Sequence, residues 1–401
     1  MVALGAGCAL LAQLCAGTAA AQEEEGAAIP LGGSNLYPAL RLGYLVNDNV
    51  FATEDDKVTG TAVVLSPSVD WVADRRLLSL TASYDGEYAA YDDEVLDYAD
   101  HTLSLRGDAE LGARRRTSGG IAYRRTHETL GLGFTRNLST EVDELVTYDL
   151  VTADGRFRYG ATDALINVEG GAALENRRYT SLEGVTEGRD YTSFAPYALV
   201  SFRLFGDARA LLETRFTTYD FDNDALDRND IELLTGLEFV ATGALSGVAQ
   251  AGVRQTNHDI ERNDDGETGL TLEADMVYRP VDFVRLTLTG TREIDNQEND
   301  ANGDPPIETL FRIGYQHDWS ARIRTNLFVS RRVEERGCPS DDTTVDSVGL
   351  DLVLQTRRWL EIGADVVGLQ RADDSDCSGV TEEGQNDFTR LLTGVYVRAT
   401  L

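Results

Sequence analysis

The side chains best able to do chemistry are few in this chain and poorly spaced for it. Its four histidines, His101, His127, His258 and His317, show no HxxxH or HExxH pairing, so no two share a helical face on which zinc sits. No G-x-S-x-G turn occurs, and no Ser, His and acid set stands out. Acidic runs come closer. Asp220, Asp222 and Asp224, and again Asp300, Asn302 and Asp304, have the spacing that opens a calcium loop. Ala225 and Pro305 stand where such a loop needs glycine, and no closing Glu follows at the right distance. Both runs therefore read as solvated loop acids, with divalent cations bridging them to lipopolysaccharide phosphates as the looser expectation. No catalytic residue, cofactor or resident metal is expected, and the chain does not read as an enzyme.

The elements that position these side chains follow one rule. About ten residues alternate apolar and polar, then a break intervenes, and the pattern recurs from Leu40 onward. Leu103, Leu105, Gly107, Ala109 and Leu111 interleave with Ser104, Arg106, Asp108 and Glu110. Leu350, Leu352 and Leu354 stand opposite Gly349, Asp351 and Val353. Period two means strands, and strands of this length, joined alternately by short and long breaks, are the pattern of a transmembrane antiparallel up-and-down β-barrel. The spacing predicts 18 strands, the first over 40–51 and the last over 387–401, with 16 as the alternative. No stretch after the leader approaches the ~18 uninterrupted apolar residues of a membrane helix.

The ends of the chain are read separately. Val2 to Gly17 is largely apolar and leads into Thr18, Ala19, Ala20, Ala21 and Gln22, a small-residue cleavage site. Residues 1–21 are thus expected to be a secretory signal peptide, which takes Cys8 and Cys15 with it. Residues 22–39, with Glu23 to Glu25 and the Gly32-Gly33-Ser34 run, lack periodicity and are expected to be a flexible periplasmic lead. Residues 40–401 are expected to form the outer-membrane barrel, and no second domain is expected among them.

An even strand count places both termini on one side, the periplasm. The breaks there are short, among them Ala73 to Arg76 and the Arg357-Arg358 pair, whereas the others are mostly longer and acidic. Trp71, Trp319 and Trp359 each fall at a short turn, as interfacial aromatics should. Arg75, Arg76, Arg114, Arg115 and Arg116 gather there too, near lipid phosphates. On this topology Cys338 and Cys377 occupy two extracellular loops, between strands 15 and 16 and between strands 17 and 18. A disulfide joining them is expected to tie together two acidic loops.

If the apolar register faces lipid, the other lines the lumen. That places Asn47, Asn49, Asp85, Arg106, Asp108, Arg156, Arg215, Arg254, Arg285, Arg312, Arg324, Asp351, Asp365, Arg390 and Arg398 inside. Barrels of this size leave an aqueous channel unless loops fill it. Such a mixed-charge wall suits hydroxylated or weakly ionic solutes, although the same charges also satisfy one another across neighbouring strands. The formal net charge of −32 excludes nucleic acid as a partner, since phosphate binding needs clustered Lys and Arg.

At the first strand, Leu36, Tyr37 and Pro38, then Leu42, Gly43 and Tyr44, then the run Asn47, Asp48, Asn49, Val50 and Phe51 resemble the opening of the putative beta-barrel porin type 2 family. Members are outer-membrane barrels often associated with exopolysaccharide production and export, and the resemblance implies that role here. It carries no catalytic or ligand residues. The expected function is a pore or conduit in exopolysaccharide export; a general or solute-specific uptake porin and a plugged structural barrel are the alternatives. Expected partners are outer-membrane lipid and lipopolysaccharide, the barrel-assembly machinery, polysaccharide and a periplasmic export partner.

Overall fold

Strands that alternate at period two can give a wall of two distinct faces by closing on themselves, and the chain does so. The computed structural model describes residues 28–132, 144–182, 186–206, 208–239, 244–258, 267–294, 306–336, 341–375 and 387–400. The barrel strands are β1 Asn35–Asn47, β2 Gly60–Arg75, β3 Leu78–Tyr91, β4 Tyr98–Glu110, β5 Arg115–His127, β6 Thr147–Tyr159, β7 Ile166–Tyr179, β8 Tyr191–Arg203 and β9 Ala208–Phe221. They continue as β10 Arg228–Phe239, β11 Leu245–His258, β12 Glu267–Val281, β13 Val284–Ile294, β14 Ile307–Ser320, β15 Ile323–Arg336, β16 Asp341–Arg357, β17 Leu360–Ser375 and β18 Phe388–Thr400. Each pairs antiparallel with its neighbours in sequence, and β18 returns to β1 from Leu392 opposite Asn47 to Thr400 opposite Ala39. The result is a closed 18-strand barrel, so no strand edge is left for another chain to pair with.

The outer face is apolar along strand after strand. Leu103 and Leu105 on β4, and Val395 and Val397 on β18, are each roughly half exposed. So large a belt of exposed aliphatic side chains is not tolerated in water; lipid is the solvent it fits, with every backbone polar group paired inside the ladder.

Closure depends on a small set of inward residues at the seam. Tyr396 of β18 stands in register between Gly43 of β1 and Gly363 of β17. A Cβ at Gly363 would lie 2.1 Å from the Tyr396 ring, so only glycine lets that ring lie flat against the wall. Arg41 stacks on the ring, 4.1 Å from its centroid, and reaches Asp365 at 3.2 Å. The Tyr396 hydroxyl donates to Asp351 at 3.1 Å. Four consecutive strands, β16, β17, β18 and β1, are thereby cross-tied over the first-to-last junction.

The two ends of the barrel differ. One carries tight turns, such as Arg76-Leu77, Asp282-Phe283 and Arg358-Trp359, together with the start of β1 and the end of β18; this is the turn end. The other carries the longer connections and is the mouth. Two boundaries depart from the sequence expectation. The barrel begins at Asn35, inside the stretch read as a flexible lead, and Ile29–Pro30 adds a short pairing against Asn35 and Leu36. Strand β1 stops at Asn47 instead of Phe51, because Asn49 and Val50 turn inward and bury themselves in the mouth.

Cys338 and Cys377 lie outside the described residues. The described register nonetheless bears on them. Asp341 on β16 and Ser375 on β17 are Cα partners, and the cysteines stand three residues before the one and two after the other. We expect non-reducing peptide mapping to recover the two joined, which requires Cα atoms within about 7 Å; two free thiols in the exported protein would overturn this.

Candidate functional site

The inner wall is not uniform. Along β2 to β5 it is rich in small hydroxyls, with Ser68, Thr81, Ser83, Ser104 and Ser118 half-buried. Asp85, Arg106 and Asp108 beside them are exposed. The Arg106 side chain is 52% exposed and lies 3.5 Å from Asp154, so water reaches this ion pair. Arg156 donates to Ser118.

From β7 to β12 the inward side chains pack on one another. Leu211 and Leu234 are buried alongside Glu213, Glu232 and Gln250. Arg215 is the hub. It donates to Glu273 at 2.6 Å, Glu213 at 2.8 Å and Glu232 at 3.2 Å, and Gln250 donates to the second Glu213 oxygen at 3.2 Å. Because β9 and β12 are not neighbours, Arg215 and Glu273 meet only on the concave side of the sheet. Likewise Arg158 on β6 bonds Glu169 at 2.7 Å and approaches Glu238 on β10 to 3.9 Å. The lumen is therefore wet along one arc and filled along another.

The mouth is narrowed by loop residues folded inward. Asn49 is fully buried; its amide donates to the Thr53 and Thr389 carbonyls at 2.7 and 3.0 Å, and its Oδ1 accepts the Thr53 N–H. Beyond β5 the chain crosses from the β3–β4 side toward β17. Leu130 packs with Val50, Leu96 and Leu145, against Tyr91 and Tyr98. Leu132 packs with Ala52, Val345, Leu369 and Phe388, which brings it to β16, β17 and β18.

Gly131 lies between these two leucines with φ +82°, and a Cβ there would fall 2.2 Å from Ala52 and 3.1 Å from the Phe388 ring. Two arginines clamp this strap. Arg371 donates to the Gly131 carbonyl at 2.7 Å and pairs with Asp373 at 2.9 Å. Arg390 donates to the Asn49 and Leu130 carbonyls at 2.8 and 2.9 Å. Outside the strap, in the β7–β8 connection, partial burial raises the Asp190 carboxyl above its ordinary range; the Tyr179 N–H bond opposes this and the Asp222 carboxylate adds to it.

Most of the remaining residues expected on the lumen wall find local partners. Asn47 ends β1 and accepts the Asn49 N–H at 3.0 Å. Arg254 is buried opposite Glu232, and Arg285 stands opposite Gln316. Arg312 lies 4.0 Å over the Phe328 ring. Arg324 pairs with Asp318 at 2.9 Å and Arg398 with Glu361 at 3.7 Å. Asp351 accepts from Asn326 at 2.9 Å as well as from Tyr396, and Asp365 pairs with Arg41. The network engages these residues on different strands; it does not gather them into one pocket.

Gly131 and Arg371 were not singled out in the sequence. The run of Leu130, Leu132, Phe134 and Leu138 in this connection is the signal that points to Gly131, since exposed loops have little reason to carry large apolar side chains; no local signal points to Arg371. Among the described residues, His101, His127 and His317 hydrogen-bond Tyr84, Asp100 and Tyr315 respectively. In the acidic β9–β10 connection the side chains cap turns: Asn223 accepts from Ala225 N–H, and Asp227 from Phe221 N–H. No group of three metal-binding side chains is assembled among the described residues; Asp300, Asn302 and Asp304 lie outside them.

The sequence profile of the family described as Putative beta-barrel porin 2 matches residues 25–365. No curated protein matches the chain. Solved structures similar to it include three from Pseudomonas aeruginosa. OpdL is 11% identical, with 92% of this chain and 99% of that one covered and a TM-score of 0.43. OccK2 (OpdF), solved in complex with glucuronate, is 12% identical over 92% and 99%, with a TM-score of 0.46. The ferric enterobactin receptor PfeA is 8% identical over 91% and 81%, with a TM-score of 0.45.

Proposed function

The chain belongs to the Putative beta-barrel porin 2 family and is an outer-membrane porin-like barrel; from this we propose that it is a conduit for hydroxylated polymers, carrying exopolysaccharide outward. The observation that supports this reading is the wet, hydroxyl-rich arc of wall from β2 to β5. Serine and threonine there offer both donors and acceptors to sugar hydroxyls, and the ion pairs beside them are already matched, so a neutral chain is not held tightly. Export direction follows the family likeness. This reading sets the turn end in the periplasm, where a periplasmic export partner would meet the barrel.

Deleting the gene is expected to cut secreted polysaccharide while the cell continues to make it, and the purified barrel is expected to conduct in planar bilayers. Undiminished secretion together with lost uptake of a small solute would instead establish an uptake porin. The narrowed mouth favours that second reading, because a strap across the opening filters by size. A barrel that conducts nothing would be a structural one.

A further inference from the structure

The arginines of this barrel fall into two classes. Most of those on the inner wall are paired, as with Arg41, Arg106, Arg158, Arg215, Arg324 and Arg398. Six at the turn end are not, whereas Arg116, Arg203 and Arg209 there hydrogen-bond neighbouring residues. Arg75, Arg76, Arg114, Arg115, Arg357 and Arg358 are all exposed, and no carboxylate or other side-chain partner meets them among the described residues. They sit in three separate turns, β2–β3, β4–β5 and β16–β17.

Their position relative to the lipid face decides what they meet. Arg75 continues the outward register of Val63 and Leu65 on β2, and Arg115 continues that of Ile121 on β5; those three aliphatics are each 39–53% exposed. Arg358 adjoins Trp359, which is 53% exposed, and Trp319 at 64% marks the same level one hairpin away. Amphipathic indoles at such a height lie at the boundary between acyl chains and headgroups. An arginine just beyond them places its guanidinium among lipid phosphates, which it binds through two parallel hydrogen bonds. The opposite rim carries the reverse sign, with Glu54, Asp55, Asp56, Asp92, Asp93 and Glu94 exposed.

We infer that the turn-end arginines form a binding ring for anionic phospholipid headgroups in the periplasmic leaflet. The ring fixes the barrel's depth and sidedness: the arginine rim is drawn to phosphates, and the acidic rim is repelled from them. It acts independently of whatever solute crosses the lumen.

The test uses the full barrel folded into vesicles of phosphatidylcholine alone or of an equal mixture with phosphatidylglycerol. The mixed vesicles are expected to raise the temperature at which the folded band is lost on a denaturing gel, and to lose most of that gain at high salt, where screening shortens the reach of charge. The sixfold variant R75Q/R76Q/R114Q/R115Q/R357Q/R358Q is expected to melt like wild type in phosphatidylcholine and to show little phosphatidylglycerol-dependent gain. Lysine at the same six positions restores most of it. If the sixfold variant does not fold, each adjacent pair changed alone is expected to remove roughly a third of the gain. A gain that survives in the glutamine variants, or one reproduced by inorganic phosphate in phosphatidylcholine vesicles, would overturn the assignment.

Discussion

Replacing Arg371 and Arg390 together by methionine is expected to open the mouth and raise single-channel conductance roughly twofold or more, with the barrel still folded. Each guanidinium-to-carbonyl bond in the strap is charge-assisted and contributes on the order of 1.5–3 kcal/mol. Two reach the strap, at the carbonyls of Gly131 and Leu130, and a third holds Asn49 of the β1–β2 connection beside it. Burial of Leu130 and Leu132 contributes a comparable amount, about 1.5–3 kcal/mol each. Neither set alone dominates, so a single clamp removed is expected to have a small effect and both removed a large one. The strand ladder is untouched, so the barrel should still fold, with its heat-induced gel shift lowered by the carboxylate of Asp373 left uncompensated beside the missing Arg371.

Gly131→Val reaches the same state by another route. A β-branched residue is disfavoured at φ +82° by about 1–2 kcal/mol, and its side chain has no space beside Ala52 and Phe388. Both variants should expose the strap to protease. A strap that becomes cleavable without any rise in conductance would show that the narrowest point of the lumen lies elsewhere.

What the sequence disclosed follows from where the physics is local. Alternation along one strand is a one-dimensional signal, so the strand count and the apolar belt were legible from residues such as Leu103 and Leu105. The break lengths are local as well, and Trp71, Trp319 and Trp359 do gather at the turn end with the start of β1 and the end of β18. The inward fold of the mouth was not legible, because it depends on Leu132 meeting Phe388 and Leu369, more than two hundred residues away. The same holds for Arg215. Its charge and register were visible, but the convergence of Glu213, Glu232 and Glu273 on it from β9, β10 and β12 is set by the curvature of the wall. The run from Asn47 to Phe51 shows the limit most clearly: its polarity suits a strand end, and only the contacts of Asn49 with Thr53 and Thr389 reveal a loop buried in the mouth.

Arg215 marks where charge matters most to the fold. Its side chain is 14% exposed, and the three carboxylates around it are 8%, 10% and 26% exposed. Arg215→Met is expected to destabilise the barrel by about 3–5 kcal/mol, the usual result of removing one partner from a buried ion cluster and leaving the other charges uncompensated. The folded band should then disappear from a denaturing gel at a clearly lower temperature. Adding Glu232→Gln and Glu273→Gln to the same chain is expected to recover most of the loss, since the cost lies in stranded charge and not in a missing contact. Arg331→Met is the control: Arg331, near the mouth end of the outer face, pairs with Asp346 through two hydrogen bonds at 2.6 and 2.7 Å, yet both side chains are exposed, at 63% and 43%. Screening leaves such a pair little net worth, so this variant should melt like wild type. If R215M and R331M behaved alike, the interior between β9 and β12 would be as wet as the outer rim, and the division of the lumen into an open and a filled arc would be wrong.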